Sequence, residues 1–380
     1  MKILYTATML SHICQFHLPH LQMLQEHGHT VHVAAHNNLD EKNGLQLRYA
    51  DRYIEIPFER SPRSPRNVKA YRELKKLLDA EHYDVIVCNT PVGGVVTRLA
   101  ARRTRRMGTR VIYIAHGFHF FKGAPRKNWL LFFPLEKVFA KRFTDVLVTI
   151  NREDYDLARI MFSTDVRHIH GVGVRAERYH PLPAEEQAVL REREGLNRED
   201  FVILCTGELL PNKNQSLLLQ AAAGLKTTVP RLTILLAGNG PERETLEKQT
   251  AELGLENTVR FLGYRTDLEN VAPAADVIVS CSRREGMPLN VIEGMLCAKP
   301  VVASHNRGHD ELVLEGETGL LFNPDNPWSL AAALQTLYDN PTLRESYGRA
   351  GLERAREYTA EAVAGEVAAI LGTDVVTGDG

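Results

Sequence analysis

Asp276-Val-Ile-Val-Ser-Cys281, followed by Glu285-Gly-Met-Pro-Leu-Asn-Val-Ile-Glu293, is the stretch on which the reading of this chain turns. The first run is short, apolar and β-branched, as a buried strand is. The second opens with glycine and proline and continues as an apolar helical pattern. Pro288 fits a first helical turn, where its missing N–H costs nothing. A strand feeding a helix through a tight turn is the unit of a parallel sheet. The turn also leaves free N–H groups, from Gly286 to Asn290, at the positive end of a helix, where anions bind. Glu285 stands before the helix and Glu293 inside it, so both can flank one ligand. Amides for phosphate and carboxylates for hydroxyls suit a phosphorylated, hydroxyl-rich molecule.

The same alternation extends in both directions. Strands are predicted at 3–6, 30–34, 53–56, 84–88, 110–115, 145–150 and 166–169, with helices at 16–27, 67–80, 92–107 and 152–162 between them. The segment 171–183 carries Gly171, Gly173, Pro181 and Pro183 and reads as an interdomain linker. Beyond it, strands are predicted at 201–206, 232–237, 258–262, 276–280 and 300–303, with helices at 213–228, 243–253, 289–297 and 327–339. Strands alternating with helices imply parallel sheets covered on both faces. The fold class is therefore α/β: two doubly wound, Rossmann-like domains with a cleft between them, and ligands outside the carboxyl ends of the strands.

Composition agrees with a chain of two domains. A chain of 380 residues exceeds one ordinary core. The net charge of -1 hides an asymmetry: residues 1–180 hold 28 Lys+Arg against 17 Asp+Glu, and residues 181–380 hold 18 against 30. The first half is therefore expected to meet something anionic. Five scattered cysteines, Cys14, Cys88, Cys205, Cys281 and Cys297, have no metal spacing and read as reduced core residues of a cytosolic protein. The N-terminus reads as a strand, with no long apolar signal region. No apolar run approaches a membrane span.

Several motifs carry candidate chemistry. Gly207-Glu-Leu-Leu-Pro-Asn-Lys-Asn214 joins a strand to a helix, where the Lys213 ammonium can reach a diphosphate. Ala237-Gly-Asn-Gly-Pro-Glu242 and Phe261-Leu-Gly-Tyr264 are further glycine turns; each reads equally as a ligand contact, through Asn239, Gly240 or Tyr264, or as an ordinary connection. His116, directly after a strong strand, is a candidate for polarising a substrate, and His119 follows it. His12 and His17 flank the first strand–helix turn and are candidate acceptor contacts. Asp154-Tyr-Asp156 follows Asn151, a good N-cap, and reads as a helix start rather than a metal site. No other metal spacing is present, so no metal ion is expected. The segment 122–142 mixes bulky apolar with basic residues, and Arg102, Arg103, Arg105 and Arg106 end an earlier helix. Together they suit an anionic membrane surface or a lipid diphosphate, or else the apolar residues are core and the arginines a solvated helix end. Nucleic acid is not expected, because no recognition motif is present.

Taken together, these motifs resemble the retaining glycosyltransferases of family 4, which have the two-domain GT-B fold, along nearly the whole chain. Glu285 and Glu293 with seven residues between them, Gly207 to Lys213, Gly238-Asn-Gly-Pro-Glu242, Phe261-Leu-Gly263, Arg307-Gly-His-Asp-Glu311 and Gly316-Glu-Thr-Gly319 carry the likeness. His12, Phe16-His17-Leu-Pro19 and His116-Gly-Phe-His-Phe120 resemble bacterial enzymes that build capsule, exopolysaccharide or undecaprenyl-diphosphate-linked glycans. One departure stands out: the family often carries an arginine where this chain has Glu208. Lys213 and the turn amides must then do more of the work on phosphate.

The resemblance implies an acceptor domain at 1–175, a nucleotide-sugar domain at 183–354 and a helix at about 355–371 that packs back on the first domain. It implies a donor site of Gly207, Glu208, Lys213, Asn239, Gly240, Tyr264, Glu285, Gly286, Met287, Pro288, Leu289, Asn290 and Glu293. Glu293 would hold the ribose and Glu285 the sugar hydroxyls. The Lys213 ammonium would stabilise the departing diphosphate, and His116 would touch the donor sugar. His12, His17 and His119 would face the acceptor. The donor implied is a UDP-sugar, with an N-acetylhexosamine favoured, and no cofactor is required. The acceptor is lipid-diphosphate-linked or glycan, at the cytoplasmic face of a membrane. Two other readings fit the same residues: a UDP-sugar epimerase of the same fold, which makes a new isomer without acceptor, and a nucleotide-sugar-binding subunit without turnover.

Overall fold

A computed structural model describes residues 1–41 and 44–373. The chain divides into two compact units, one of Met1–Gly173 with the segment from Ala360, the other of Val174–Thr359.

The first unit is a seven-stranded parallel sheet: β1 (Lys2–Met9), β2 (Thr30–His36), β3 (Arg52–Glu55), β4 (Val85–Asn89), β5 (Arg110–Ala115), β6 (Val146–Thr149) and β7 (Asp165–His168). Their order is β3-β2-β1-β4-β5-β6-β7. The second unit has six parallel strands, β8 (Phe201–Thr206), β9 (Leu232–Ala237), β10 (Val259–Gly263), β11 (Val277–Ser280), β12 (Val301–Ser304) and β13 (Gly319–Phe322), in the order β10-β9-β8-β11-β12-β13. The central strands are nearly continuous apolar runs because helices cover both faces. Each order reverses once, between β1 and β4 and between β8 and β11. Ligands of doubly wound sheets bind outside the carboxyl ends at such points.

Some predicted elements are corrected. The helix read at 16–27 is two, Leu10–Phe16 and Leu18–Glu26, because Pro19 lacks the N–H that would continue the first ladder. That at 92–107 divides into Pro91–Ala100 and Arg102–Arg106. That at 213–228 begins only at Gln215, after the 3-10 turn Pro211–Lys213 and the left-handed Asn214. Pro288 caps the helix Leu289–Leu296 from outside rather than sitting in its first turn. The segment 174–183 is no free linker. Val174 pairs with Thr359, and Tyr179 is buried in the second unit's core. Strand β13 and the helices Arg126–Phe143, Ala184–Arg193 and Arg307–Leu312 were not predicted.

The helix Ala360–Leu371 belongs to the first unit. Val367, Ile370 and Leu371 face Val87, Ile112, Ile114 and Val148 of its sheet. Glu366 accepts a bond from the His170 amide at 2.9 Å. Beyond this helix Thr373 is buried and its amide donates to Ala368 O; residues 374–380 lie outside the described residues. All five cysteines are free and buried.

Candidate functional site

At the carboxyl ends of β8 and β11 the second unit brings two loops together. Arg283 N donates to Asn212 O at 2.8 Å and Asn212 Nδ2 to Arg284 O at 3.0 Å. Across this junction the Lys213 ammonium donates to Glu285 Oε1 at 2.6 Å. The Lys213 side chain lies over Gly207, whose φ is +145°. A Cβ there would stand 3.5 Å from Lys213 Cε. Close approach also explains the next glycine turn. A Cβ at Gly238 would meet Gly207 O at 1.9 Å, and one at Gly240 would meet Leu209 O at 2.3 Å. These contacts interlock the 207–213 and 238–242 loops, tied further by Leu209 N donating to Asn239 O at 2.9 Å.

Glu285 is braced from behind. The helix Arg307–Leu312 starts against it: a Cβ at Gly308 would lie 3.0 Å from Glu285 Cβ, and Arg307 Nε donates to Glu285 O at 3.4 Å. Asn306 caps that helix, accepting from Gly308 N and His309 N. His309 is buried between Ser304 O and Ser280 Oγ, at 2.7 and 2.9 Å. Burial holds its imidazole neutral, pushed down to about 4. Among the described residues, the amides of Gly286 and Met287 have no hydrogen-bond acceptor, so they remain available to a ligand. Asn290 Nδ2 instead donates to Thr206 O at 3.2 Å.

Glu293 lies one helical stretch further on, half-buried beside Tyr179 and Arg178. Burial pushes its carboxyl up to about 7, although the Tyr179 hydroxyl and the Arg178 charge both favour ionisation. Sequence reasoning missed Tyr179 and Arg178, because both fall in the supposed linker. Glu208 is exposed, and its carbonyl accepts from Gln215 Nε2 at 3.1 Å. Tyr264 follows the edge strand β10 and is exposed, while Asn239 Oδ1 lies beside Gly263.

In the first unit, the carboxyl ends of β1, β4 and β5 surround a cavity of about 650 Å³. His12 and His119 are in its wall, with Phe16, Phe118 and Phe132, and Arg60 supplies a positive charge. His116 does not stand alone. Its Nε2 is 3.2 Å from both His12 Nε2 and Asn89 Oδ1. His17 and His20, both fully buried, face each other through their Nδ1 atoms at 3.3 Å. Burial holds His12 and His20 down to about 4 and His17 and His116 well below the usual histidine range. All four are therefore neutral. His17 Nε2 and His20 Nε2 have no hydrogen-bond partner, which costs on the order of 1–3 kcal/mol each. Local spacing could not reveal this cluster, because it forms across more than a hundred residues of chain. Asp154 is a helix-start residue as predicted, accepting from Asn151 Nδ2 and Phe118 N.

The helix Arg126–Phe143 flanks this cavity. Its inner face carries Phe132, Phe133 and Ala140. It is pinned by the buried Arg98, whose guanidinium grips Glu136 with two hydrogen bonds. Its outer face exposes Leu130, Leu131 and Val138 among Lys127, Lys137 and Lys141, while Leu135 also lines the cavity. The neighbouring arginines are only partly free. Arg105 pairs with Asp145 at 2.8 Å and donates to Arg142 O, and Arg103 approaches Asp79 at 3.5 Å. No helix among the described residues is long and apolar enough to cross a membrane.

Comparison with known proteins identifies the family. A family model described as Glycosyltransferase Family 4 matches residues 20–178, and one described as Glycosyl transferases group 1 matches residues 186–354. EpsD of Bacillus subtilis (strain 168), which carries a provisional glycosyltransferase name, is 42% identical over 371 residues, 97% of this chain and 96% of its own. The Escherichia coli UDP-Gal:alpha-D-GlcNAc-diphosphoundecaprenol alpha-1,3-galactosyltransferase is 29% identical over 320 residues, 81% of each chain. Among solved structures, Anabaena HepE in complex with UDP and glucose matches with a TM-score of 0.77 at 22% identity, covering 98% of this chain and 100% of that one. The sucrose-phosphate synthase of Thermosynechococcus elongatus matches with 0.80 at 21%, covering 98% of each. The two structures speak for the fold; the sequence relatives, one of them similar from end to end, speak for the family. The chain belongs to the family 4 glycosyltransferases and is an enzyme of the GT-B fold.

Proposed function

We propose that this enzyme moves a sugar from a UDP-sugar to a hydroxyl of a lipid-diphosphate-linked or glycan acceptor, with retention at the anomeric carbon, in the assembly of a cell-surface glycan. The observation that carries this reading is the meeting of Lys213, Glu285 and the free amides of Gly286 and Met287 at the β8/β11 reversal. A cation, two aligned donors and a carboxylate are what a diphosphate attached to a sugar needs. The names of the relatives support the substrates: the Escherichia coli protein is named for UDP-Gal and a diphosphoundecaprenol acceptor, and HepE was solved with UDP.

In the ligand-free chain Glu285 neutralises Lys213. An arriving diphosphate competes for the ammonium, and Glu285 is then released to accept hydroxyls of the donor sugar. Glu293 accepts the ribose hydroxyls. The bond from the anomeric carbon to the diphosphate breaks, and Lys213 and the turn amides stabilise the charge that develops. The acceptor oxygen bonds to the same face of that carbon, and its proton passes to the departing phosphate oxygen. This donor site draws its positive charge from Lys213 and the backbone and needs no metal there. Arg60 and the aromatic wall of the first unit's cavity receive the acceptor, with His12 and His119 as polar contacts. A sugar hydroxyl reaching His116 must replace Asn89 or His12 at its Nε2. The outer face of the helix Arg126–Phe143 lies on the anionic cytoplasmic membrane that carries the acceptor, with leucines in the interface and lysines at the headgroups.

The test is Glu285→Gln, assayed with a panel of UDP-sugars, hexoses and N-acetylhexosamines, with and without a lipid-diphosphate acceptor. Transfer by the wild type should fall by about 100-fold or more in kcat in the variant, with UDP affinity, measured by calorimetry, changed by less than about threefold. A new sugar isomer formed without acceptor, or equal background rates for both proteins, contradicts the proposal.

A further inference from the structure

We propose that His12, His17 and His116 form a binding site for a divalent cation of the zinc type. Their ligand nitrogens all lie within 4.8 Å of one another. Two ligands already stand at the right spacing. His12 Nε2 and His116 Nε2 are 3.2 Å apart, and two nitrogens each ~2.05 Å from a tetrahedral ion are separated by ~3.3 Å. The third ligand closes on the ion with a small rotation of the His17 ring. The ring is positioned for that, since His17 Nε2 is buried without a partner while its Nδ1 is held by His20 at 3.3 Å. Holding the second nitrogen of a ligating imidazole is what fixes its orientation in metal sites.

The backbone supports the same reading. Five positions in an unbroken helix would place His12 and His17 about 140° apart. The break at His17 brings their rings to 5.3 Å, and the end of β5 delivers His116 to 5.2 Å from His17. The cluster holds no carboxylate, so its donor set is three imidazole nitrogens. Three neutral nitrogens select zinc, cobalt or nickel over magnesium or calcium, which take oxygen. On binding the ion, His116 gives up its contact with Asn89. His12 also lies in the cavity wall, so an open fourth position is reached from the cavity by an anionic oxygen such as a phosphate. The site lies in the first unit, and its occupancy does not depend on the donor site described above.

The experiment uses the full chain stripped with a chelator, dialysed against Zn2+ or Mg2+ and analysed for bound metal, with the visible spectrum of the Co2+ form as the coordination readout. His12→Ala and His17→Ala are compared with the wild type and with His82→Ala, an exposed control. The expected result is one Zn2+ per wild-type chain, no Mg2+ retained and a spectrum of low-coordinate Co2+. Zinc affinity should be at least ~10-fold weaker in both cluster variants and unchanged in the control. His12 is only half-buried, so its variant keeps the test decisive if His17→Ala fails to fold. A wild type that retains no zinc, or a His12→Ala protein that binds it as tightly, overturns the proposal.

Discussion

Glu293 is a carboxyl that the fold keeps partly protonated up to neutrality. Burial raises it from its ordinary 4.5 to about 7, against the pull of Tyr179 and Arg178. Between these values the folded protein keeps a proton that the unfolded chain releases. The residue's contribution to stability is therefore full below pH 4.5 and is lost as pH rises through 7. Glutamine is neutral throughout. Urea denaturation of Glu293→Gln should show the variant gaining on the wild type between pH 4.5 and pH 8 by on the order of 2 kcal/mol, allowing for partial solvent screening. A constant difference between the two proteins would contradict this. At this scale the sequence was legible where chemistry is local. Lys213, Glu285 and Glu293 were singled out because a strand, a glycine turn and a helix start follow one another in the chain, and the structure joins the first two at 2.6 Å. Tyr179, Arg178 and the histidine cluster were not, because their partners are assembled by tertiary packing.

The helix Arg126–Phe143 shows how one element escapes a sequence reading. Pro134 sits inside it and reads as a breaker. The helix nevertheless continues through it, and the carbonyl that loses its N–H partner belongs to Leu130, a residue 80% exposed. With Trp129, Phe132, Phe133 and Ala140 turned inward, the exposed leucines form a second apolar stripe on the outer side. Replacing both Leu130 and Leu131 by Glu removes apolar area and adds negative charge without touching the inner face. Co-sedimentation with anionic vesicles should fall to background while the melting temperature stays within a few degrees. Retained, salt-insensitive vesicle binding would contradict the proposed membrane role of this face. Strand β13 escaped for another reason: Gly319 at its start looks like a turn. A Cβ there would meet Val301 O at 2.1 Å, so glycine marks a close approach inside the sheet.

For the whole molecule, the alternation of strands and helices made two doubly wound sheets legible, because a parallel sheet requires a crossover for every strand. Membership of the last helix was not legible from periodicity, since an apolar face does not name its partner. Ala360–Leu371 places Val363, Val367 and Leu371 in the first unit's core, each burial worth ~1.5–3 kcal/mol. Deleting the chain from Ala360 onward should therefore destabilise residues 1–173 by several kcal/mol, of order 5, and leave residues 174–359 little changed. Hydrogen exchange followed by mass spectrometry reads the two units separately. Equal protection of β4 to β6 in the full and shortened chains would contradict this placement.

The proposed chemistry, a front-face transfer from a UDP-sugar with Lys213 and Glu285 at the diphosphate and sugar, is tested most directly by the anomeric configuration of the product. The wild-type enzyme is given an α-linked UDP-sugar and a lipid-diphosphate acceptor, and the new linkage is assigned by NMR. An α-linked product, formed far more slowly by Glu285→Gln, is the result expected; a β-linked product would contradict it.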